Sequence, residues 1–343
     1  MLEPKEDPMD GLPEGYRARA GTMDDLEALI DFVNEYFAAV GSSERYSKEQ
    51  MRVQLSLPGF DIGSSLRLVV SPDDDLVGAG LVIDIREPHV HVFAAGIVSV
   101  NHEGRGIGTA IHRWIETRAR EAIPKAPEGA RVVLMQSVAE GAVAANAFLR
   151  ENGYRPTRHF WRMGIAFDEA PPAPEWPDSI SVRTLDPDRD LEAAVAATTD
   201  AFRDHWGFVE GSPEERIARE RHRIENDPMY DPSLDFLACE GHEIAAVCFC
   251  ASHHGPDETK GYVGALGVRP AWRRRGLGLT LLRHAFGELH RRGLTGAALH
   301  VDAQSLTGAT RLYEKAGMHV EELSHEYQLE LRPGVDMATR SSN

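Results

Sequence analysis

Three landmarks occur twice along this chain, in the same order and at nearly constant separation. Tyr16–Ala20 followed by Asp24-Asp25-Leu26-Glu27-Ala28 is answered by Ser181–Thr184 followed by Asp188-Arg189-Asp190-Leu191-Glu192-Ala193, with Leu26 and Leu191 165 residues apart. The glycine pair Gly106-Ile107-Gly108 returns 170 residues later as Gly276-Leu277-Gly278. Phe148–Tyr154 returns as Leu312–Met318, with Gly153 and Gly317 164 residues apart. A shared order at a shared offset indicates a tandem duplication. The 343 residues also suit two domains, each long enough to bury a core. Between the copies, Asp168–Pro177 carries four prolines, which deny it a helix or a central strand and mark a linker. The expected layout is a tail over 1–14, a first domain over 15–167, a linker over 168–178, a second domain over 179–332 and a mobile polar tail over 333–343.

Both copies share one coarse pattern. A short strand leads into helices at about 22–40 and 47–56, and again at about 188–203 and 213–226. Apolar strands follow at about 66–71, 77–85 and 89–100, matched by 234–239, 243–251 and 261–268. Then come a glycine loop, a helix, a strand (131–136; 296–301), another helix and a final strand pair. A strand meander joined to βα units implies an α+β or α/β layered domain rather than a sandwich.

Composition excludes several classes of function. With 37 Lys and Arg against 54 Asp and Glu the net charge is −17, which opposes nucleic-acid binding by bulk electrostatics and suits cationic small molecules. Hydrophobic residues at 42% and charged residues at 27% are those of a globular protein. The three cysteines, Cys239, Cys248 and Cys250, are too few for a disulfide framework and read as core thiols of a reduced, cytosolic protein. The first residues lack a basic and apolar leader pattern, and no apolar run is long enough to span a membrane. His205, His242, His253 and His254 lack metal-ligand spacing, so no metal is expected.

The second glycine loop is the most informative local feature. A strand ending at Leu266-Gly267-Val268 runs through Pro270 into Arg273-Arg274-Arg275-Gly276-Leu277-Gly278-Leu279-Thr280, where a helix opens. Glycines let ligand oxygens approach the backbone, and unpaired amides at a helix start attract an anion. Residues 271–292 hold six Arg against one Glu, inside an acidic chain. The loop lacks the lysine of a Walker A motif, and Leu281 stands where a Rossmann loop needs its third glycine.

Arg273–Gly278 resembles the Arg/Gln-x-x-Gly-x-Gly/Ala loop of the GNAT superfamily of acetyl-CoA-dependent acetyltransferases. Asp302–Met318, with Leu312-Tyr313-Glu314-Lys315-Ala316-Gly317-Met318, resembles that superfamily's last signature. The tandem layout is similar to that of mycothiol synthase and related two-domain actinobacterial acetyltransferases; Asp204–Phe208 and Asp231–Leu234 are similar to short segments of that group.

The resemblance implies, for each copy, a mixed, mostly antiparallel central sheet flanked by helices. It implies that Leu266, Gly267 and Val268 offer backbone groups to the pantetheine arm, and that the amides of Arg273 to Thr280 hold the pyrophosphate. Ser305 stands where the family's Asn contacts the cofactor. Tyr313 would protonate the departing CoA thiolate, a phenol being a suitable acid for a thiol leaving group. Family members often place a base Glu on the strand before the glycine loop, but Lys260–Leu266 contains no carboxylate. The alternatives for that base are Asp302, His205, His254 and Glu258; His205, Trp206, His254 and Tyr262 are candidates to line the acceptor pocket.

In the first copy Glu103 occupies the Arg/Gln position and Leu149 the place of Tyr313. That copy therefore reads as non-catalytic, with a second cofactor site at Val98 and at Gly104, Arg105, Gly106, Ile107, Gly108 and Thr109. The resemblance implies direct acetyl transfer from acetyl-CoA to a primary amine; the overall acidity favours a small cationic acceptor, and a monomer or homodimer without nucleic-acid or membrane partners is expected. The rival is a non-enzymatic acyl-CoA-binding or sensor protein.

Overall fold

In the computed structural model, which describes residues 9–255, 257–305 and 307–340, the chain forms two compact units. In chain order the first half contains β1 (Arg17–Ala20), α1 (Leu26–Ala39), α2 (Lys48–Leu55), α3 (Ile62–Ser65), β2 (Leu66–Val70), β3 (Leu76–Ile83), β4 (His91–Val98), α4 (Ile107–Ala119), β5 (Val132–Ala139), α5 (Val143–Glu151) and β6 (Arg155–Ala166). The second contains β7 (Ile180–Thr184), α6 (Pro187–Phe202), α7 (Pro213–Asn226), β8 (Asp235–Glu240), β9 (Glu243–Ala251), β10 (Lys260–Val268), α8 (Leu277–Arg291), β11 (Gly296–Asp302), α9 (Ala309–Lys315) and β12 (His319–Arg332). The expected α+β class, with a mixed, mostly antiparallel sheet flanked by helices, is what each unit has.

The boundaries of the units do not follow the repeat boundaries at 167 and 179. Unit 1 is Met1–Arg158 with Ser324–Met337, and unit 2 is His159–Leu323 with Ala338–Asn343. The reason is an exchange of last strands. In unit 1 the strands run β1-β2-β3-β4-β5, and β5 is then paired antiparallel with Ser324–Arg332 of β12. In unit 2 they run β7-β8-β9-β10-β11, and β11 is paired antiparallel with Phe160–Ala166 of β6. Tyr327 of β12 is fully buried in unit 1 and donates to Asn146 Oδ1 at 2.9 Å. Arg332 donates to the carbonyls of Ala130, Ile123 and Pro127.

The landmarks of the repeat have physical roles. In the first, an arginine on the opening strand pairs with an aspartate at the next helix: Arg19 with Asp25 in unit 1, and Arg183 with the nearly buried Asp190 in unit 2. In the third, Gly153 and Gly317 take positive φ (85° and 94°) and close α5 and α9. The amide of Tyr154 bonds Leu149 O and that of Met318 bonds Tyr313 O, each at 3.0 Å, the six-to-one bond of a Schellman cap. That shared bond makes Leu149 and Tyr313 structurally equivalent.

The core of unit 2 lies between the sheet and α8, whose Leu277, Leu281, Leu282, Ala285, Phe286 and Leu289 recur at three- and four-residue spacing on one face. The opposite face is covered by α6, whose Ala194 and Ala197 meet Leu237 and Val247. The linker is not free: Trp176 packs on the unit 2 core and Glu175 O accepts from Thr280 Oγ1. Cys239, Cys248 and Cys250 are buried and unbridged, as core thiols.

The expected mobile tail over 333–343 is corrected for its described part. The Val335 amide bonds Gly129 O, the Thr339 amide bonds Phe208 O, and Arg340 lies over the Trp206 ring at 4.9 Å. These backbone bonds give the segment fixed partners despite its polar composition. Residues 1–8 and 341–343 of the expected tails lie outside the described residues. Among the described residues no helix is long and apolar enough to cross a membrane.

Candidate active site

The site in unit 2 is produced by two strands that part. β10 and β11 run parallel but pair only over Lys260–Tyr262 against Gly296–Ala298. From Val263 onward β10 leaves its neighbour, so its backbone groups on that side are not taken up by β11. Against β9, β10 carries a bulge: Val263 faces Cys250 and Ala265 faces Phe249, leaving Gly264 as the extra residue. A bulge re-aims the local peptide groups, here at the mouth of the split. Leu266, Gly267 and Val268 form the free run that follows. Gly267 is required for packing, because a Cβ there would sit 2.9 Å from Ala201 and Phe202.

The chain then turns through Arg269–Trp272 into the glycine loop. Arg274 and Gly276 both have positive φ (61° and 81°), and Gly276 caps α8. Left-handed residues in such a turn converge backbone amides into an anion-binding concavity. A Cβ added at Gly276 would point into open space, the space an anion would need.

The three arginines divide by role. Arg273 is turned inward: it forms a bidentate ion pair with Asp204 and donates to Val268 O at 3.0 Å and Ala201 O at 2.9 Å. Hydrogen bonding to that guanidinium holds the Asp204 carboxyl below its usual range. Arg275 is held by Glu240, with a further bond to Ser179 Oγ; Glu240, which also accepts from Trp272 Nε1, is lowered to about 2 by these donors. Arg274 is exposed and, among the described residues, has no ion-pair partner. Leu277 and Gly278 are buried under the loop, with Leu279 and Thr280 half-buried in the first turn.

Tyr313 is buried at 7% exposure in the core that α8 shares with the sheet, and burial pushes its phenol above the ordinary value. Ser305 Oγ contacts Thr307 and the amide of Ala309, so it serves the start of α9. Asp302 ends β11 and accepts from the Gln304 amide at 2.9 Å, while lying near enough to act on the His205 imidazole electrostatically. His205 is packed edge-on against Phe202 at 4.6 Å, and burial lowers its pKa. Trp206 is covered by Arg340. His254 stacks on Tyr262 at 4.4 Å and 22°, and Tyr262 Oη lies 2.8 Å from His300 Nδ1. Glu258 lies exposed in the turn before β10. Among the described residues there is no cluster of three or more potential metal ligands.

Sequence reasoning missed His300, because its relation to Tyr262 depends on the β10–β11 register. It also missed Asp235, which is 1% exposed, with Oδ2 3.4 Å from Arg223 and Oδ1 without a hydrogen-bond partner. Burial, opposed by Arg223, pushes its carboxyl up to about 7. The folded state therefore holds a proton that the unfolded chain releases near pH 4, and stability is lost as pH rises from there through 7. Asp235→Asn should flatten the fall in thermal midpoint between pH 5 and 8, an effect on the order of 2 kcal/mol. Melting curves across that range check this.

Unit 1 repeats the scaffold with different contents. β4 and β5 pair only over His91–Phe93 against Val133–Met135 and then part, while β4 meets β3 without a bulge. Gly104 and Gly106 take positive φ (72° and 90°), matching Arg274 and Gly276. A cavity of about 330 Å³ fills the split, with Val98, Gly104, Gly108, Glu103 and Leu149 in its wall. Arg105 is drawn aside to Tyr16 Oη at 2.9 Å, whereas Gly106, Ile107 and Thr109 build the helix start.

A sheet flanked by helices, whose parallel strands part beside a glycine-capped helix, occurring twice in one chain, is the architecture of tandem acetyltransferases. The family model described as the acetyltransferase (GNAT) family matches residues 196–318. A GCN5-related N-acetyltransferase from Sphaerobacter thermophilus superposes with a TM-score of 0.80 at 33% identity, covering 96% of this chain and 100% of that one. The mycothiol acetyltransferase of Streptomyces scabiei is 30% identical over 326 residues, 93% of this chain and 97% of that protein. The mycothiol acetyltransferase of Catenulispora acidiphila is 34% identical over 189 residues, where the match spans only a little over half of each chain, 54% and 58%. The chain belongs to the GNAT family of N-acetyltransferases.

Proposed function

We propose that unit 2 moves an acetyl group from acetyl-CoA directly to a primary amine of a small cationic acceptor in the cytosol, without a covalent enzyme intermediate. The observation that carries this reading is the presence, within one unit, of the bulged split, the left-handed loop and a buried Tyr313 on the helix that follows β11. The backbone at Leu266–Val268 would hold the pantetheine arm, and the amides of Arg273–Thr280, with the Arg274 side chain, the pyrophosphate. Acetyl-CoA supplies an activated thioester carbonyl. Tyr313 delivers a proton to the leaving sulfur. Arg273 and Arg275 support the loop rather than the ligand, because Asp204 and Glu240 hold their side chains.

Unit 1 is read as a non-catalytic partner that retains a cavity of about 330 Å³ in its split. Leu149 replaces the acid, the bulge is absent, and the Glu103 carboxylate opposes a phosphate. The cavity also supports a second reading for this unit, non-catalytic acyl-CoA binding. The net charge of −17 favours a cationic amine, and relatives named mycothiol acetyltransferase favour an amine on a mycothiol-type precursor. The test is release of CoA thiol from acetyl-CoA in the presence of glucosamine, spermidine or kanamycin. Turnover with at least one amine supports transfer; acetyl-CoA binding without turnover on any amine favours the sensor reading.

A further inference from the structure

We infer that Tyr262 and His300 form the proton relay that deprotonates the acceptor amine, in place of the carboxylate missing from β10. The inference rests on the transferase reading above. Tyr262 is the last residue of β10 paired with β11, opposite Ala298. Its ring borders the bulge, since a Cβ on Gly264 would lie 4.0 Å from Tyr262 Cε1. Its hydroxyl is 2.8 Å from Nδ1 of His300, an exposed residue on the part of β11 that β10 has left. His254 stacks on the phenol and fixes the plane of the ring.

The carboxylates nearby are committed elsewhere. Arg162 stands opposite His300 on β6 and pairs with Glu321, which Lys260 also approaches at 3.8 Å. Asp302 accepts from the Gln304 amide, Glu258 lies in an exposed turn, and His205 is packed against Phe202. The Tyr262–His300 pair is the base-competent group that the fold brings to the edge of the split.

The step balances as follows. The acceptor ammonium gives a proton to Tyr262 Oη while the Tyr262 proton passes to His300 Nδ1, leaving a neutral amine and an imidazolium. The amine lone pair forms the C–N bond, the C–S bond breaks, and its electron pair leaves on sulfur, which takes the Tyr313 proton. The second amine proton, shed as the amide forms, replaces the one Tyr313 gave. The imidazolium proton goes to water, so one ammonium and one thioester yield one amide, one thiol and one proton.

The test compares Tyr262→Phe, His300→Gln and the double variant with wild type, on the amine that wild type acetylates fastest among glucosamine, spermidine and kanamycin. Each single change should lower kcat about 100-fold near pH 7, and the double variant should be no worse than either, as expected of groups acting as one unit. Acetyl-CoA affinity, measured by calorimetry, should stay within about two-fold of wild type. The deficit should shrink as pH approaches the amine's own pKa, because an amine already deprotonated needs no base. Near-wild-type kcat in both single variants, or a deficit constant with pH, overturns the relay. Absence of wild-type turnover on all three amines overturns the transferase reading instead, and the relay with it.

Discussion

Tyr313→Phe is expected to lower kcat by about 100-fold or more while leaving the acetyl-CoA Kd within about two-fold of wild type. The change isolates the hydroxyl. The ring is part of the unit 2 core at 7% exposure, and phenylalanine preserves that packing. Among the described residues the hydroxyl has no hydrogen-bond partner, so its removal orphans no other group. Burial raises the phenol's pKa, which keeps it protonated across the working pH range. What is lost is the proton for the leaving sulfur. Initial-rate assays of thiol release beside calorimetric titration separate kcat from binding, and an unchanged kcat removes Tyr313 from the chemistry.

A chain that ends before β12 is expected to lose the folded structure of unit 1. Residues Ser324–Arg332 pair with β5 along its whole length, Tyr327 is fully buried there, and Arg332 closes three carbonyls. Removing one large buried aromatic costs about 3–5 kcal/mol, and a domain's whole stability is about 5–15 kcal/mol. The paired backbone of β5 is exposed in addition. A chain truncated after Met318, in which β6 stays paired with β11, should therefore show no protected β5 amides in hydrogen exchange. Native β5 protection in that truncated chain would contradict the exchanged-strand arrangement.

The duplication was legible because its landmarks are local devices. The Arg–Asp pairs, the left-handed glycines at the starts of α4 and α8, and the caps at Gly153 and Gly317 are each fixed within a short stretch of chain. Strand ownership was not legible. β6 and β12 occupy the same place in the two repeats, and nothing local states that β12 joins β5 while β6 joins β11. The arginine run suggests a positively charged loop, but Arg273 is committed to Asp204 and Arg275 to Glu240, partners 69 and 35 residues away that no local pattern reveals. The Tyr262–His300 contact likewise needs the register of two parallel strands, separated in sequence by a glycine loop and α8. The polar 333–340 segment suggested mobility because composition does not reveal backbone bonds such as those of Val335 and Thr339.

The most direct test of the account is calorimetric titration of acetyl-CoA into wild type, Gly276→Val and Gly106→Val. Gly276 has φ of 81° and an open space over its Cα, so valine strains the loop and fills the proposed anion position. Far-ultraviolet circular dichroism would first confirm that both variants keep the wild-type fold. The account predicts that Gly276→Val abolishes the binding that supports turnover, and that Gly106→Val leaves both that binding and turnover in place. Wild-type acetyl-CoA binding and turnover in Gly276→Val would contradict placing the reaction in unit 2.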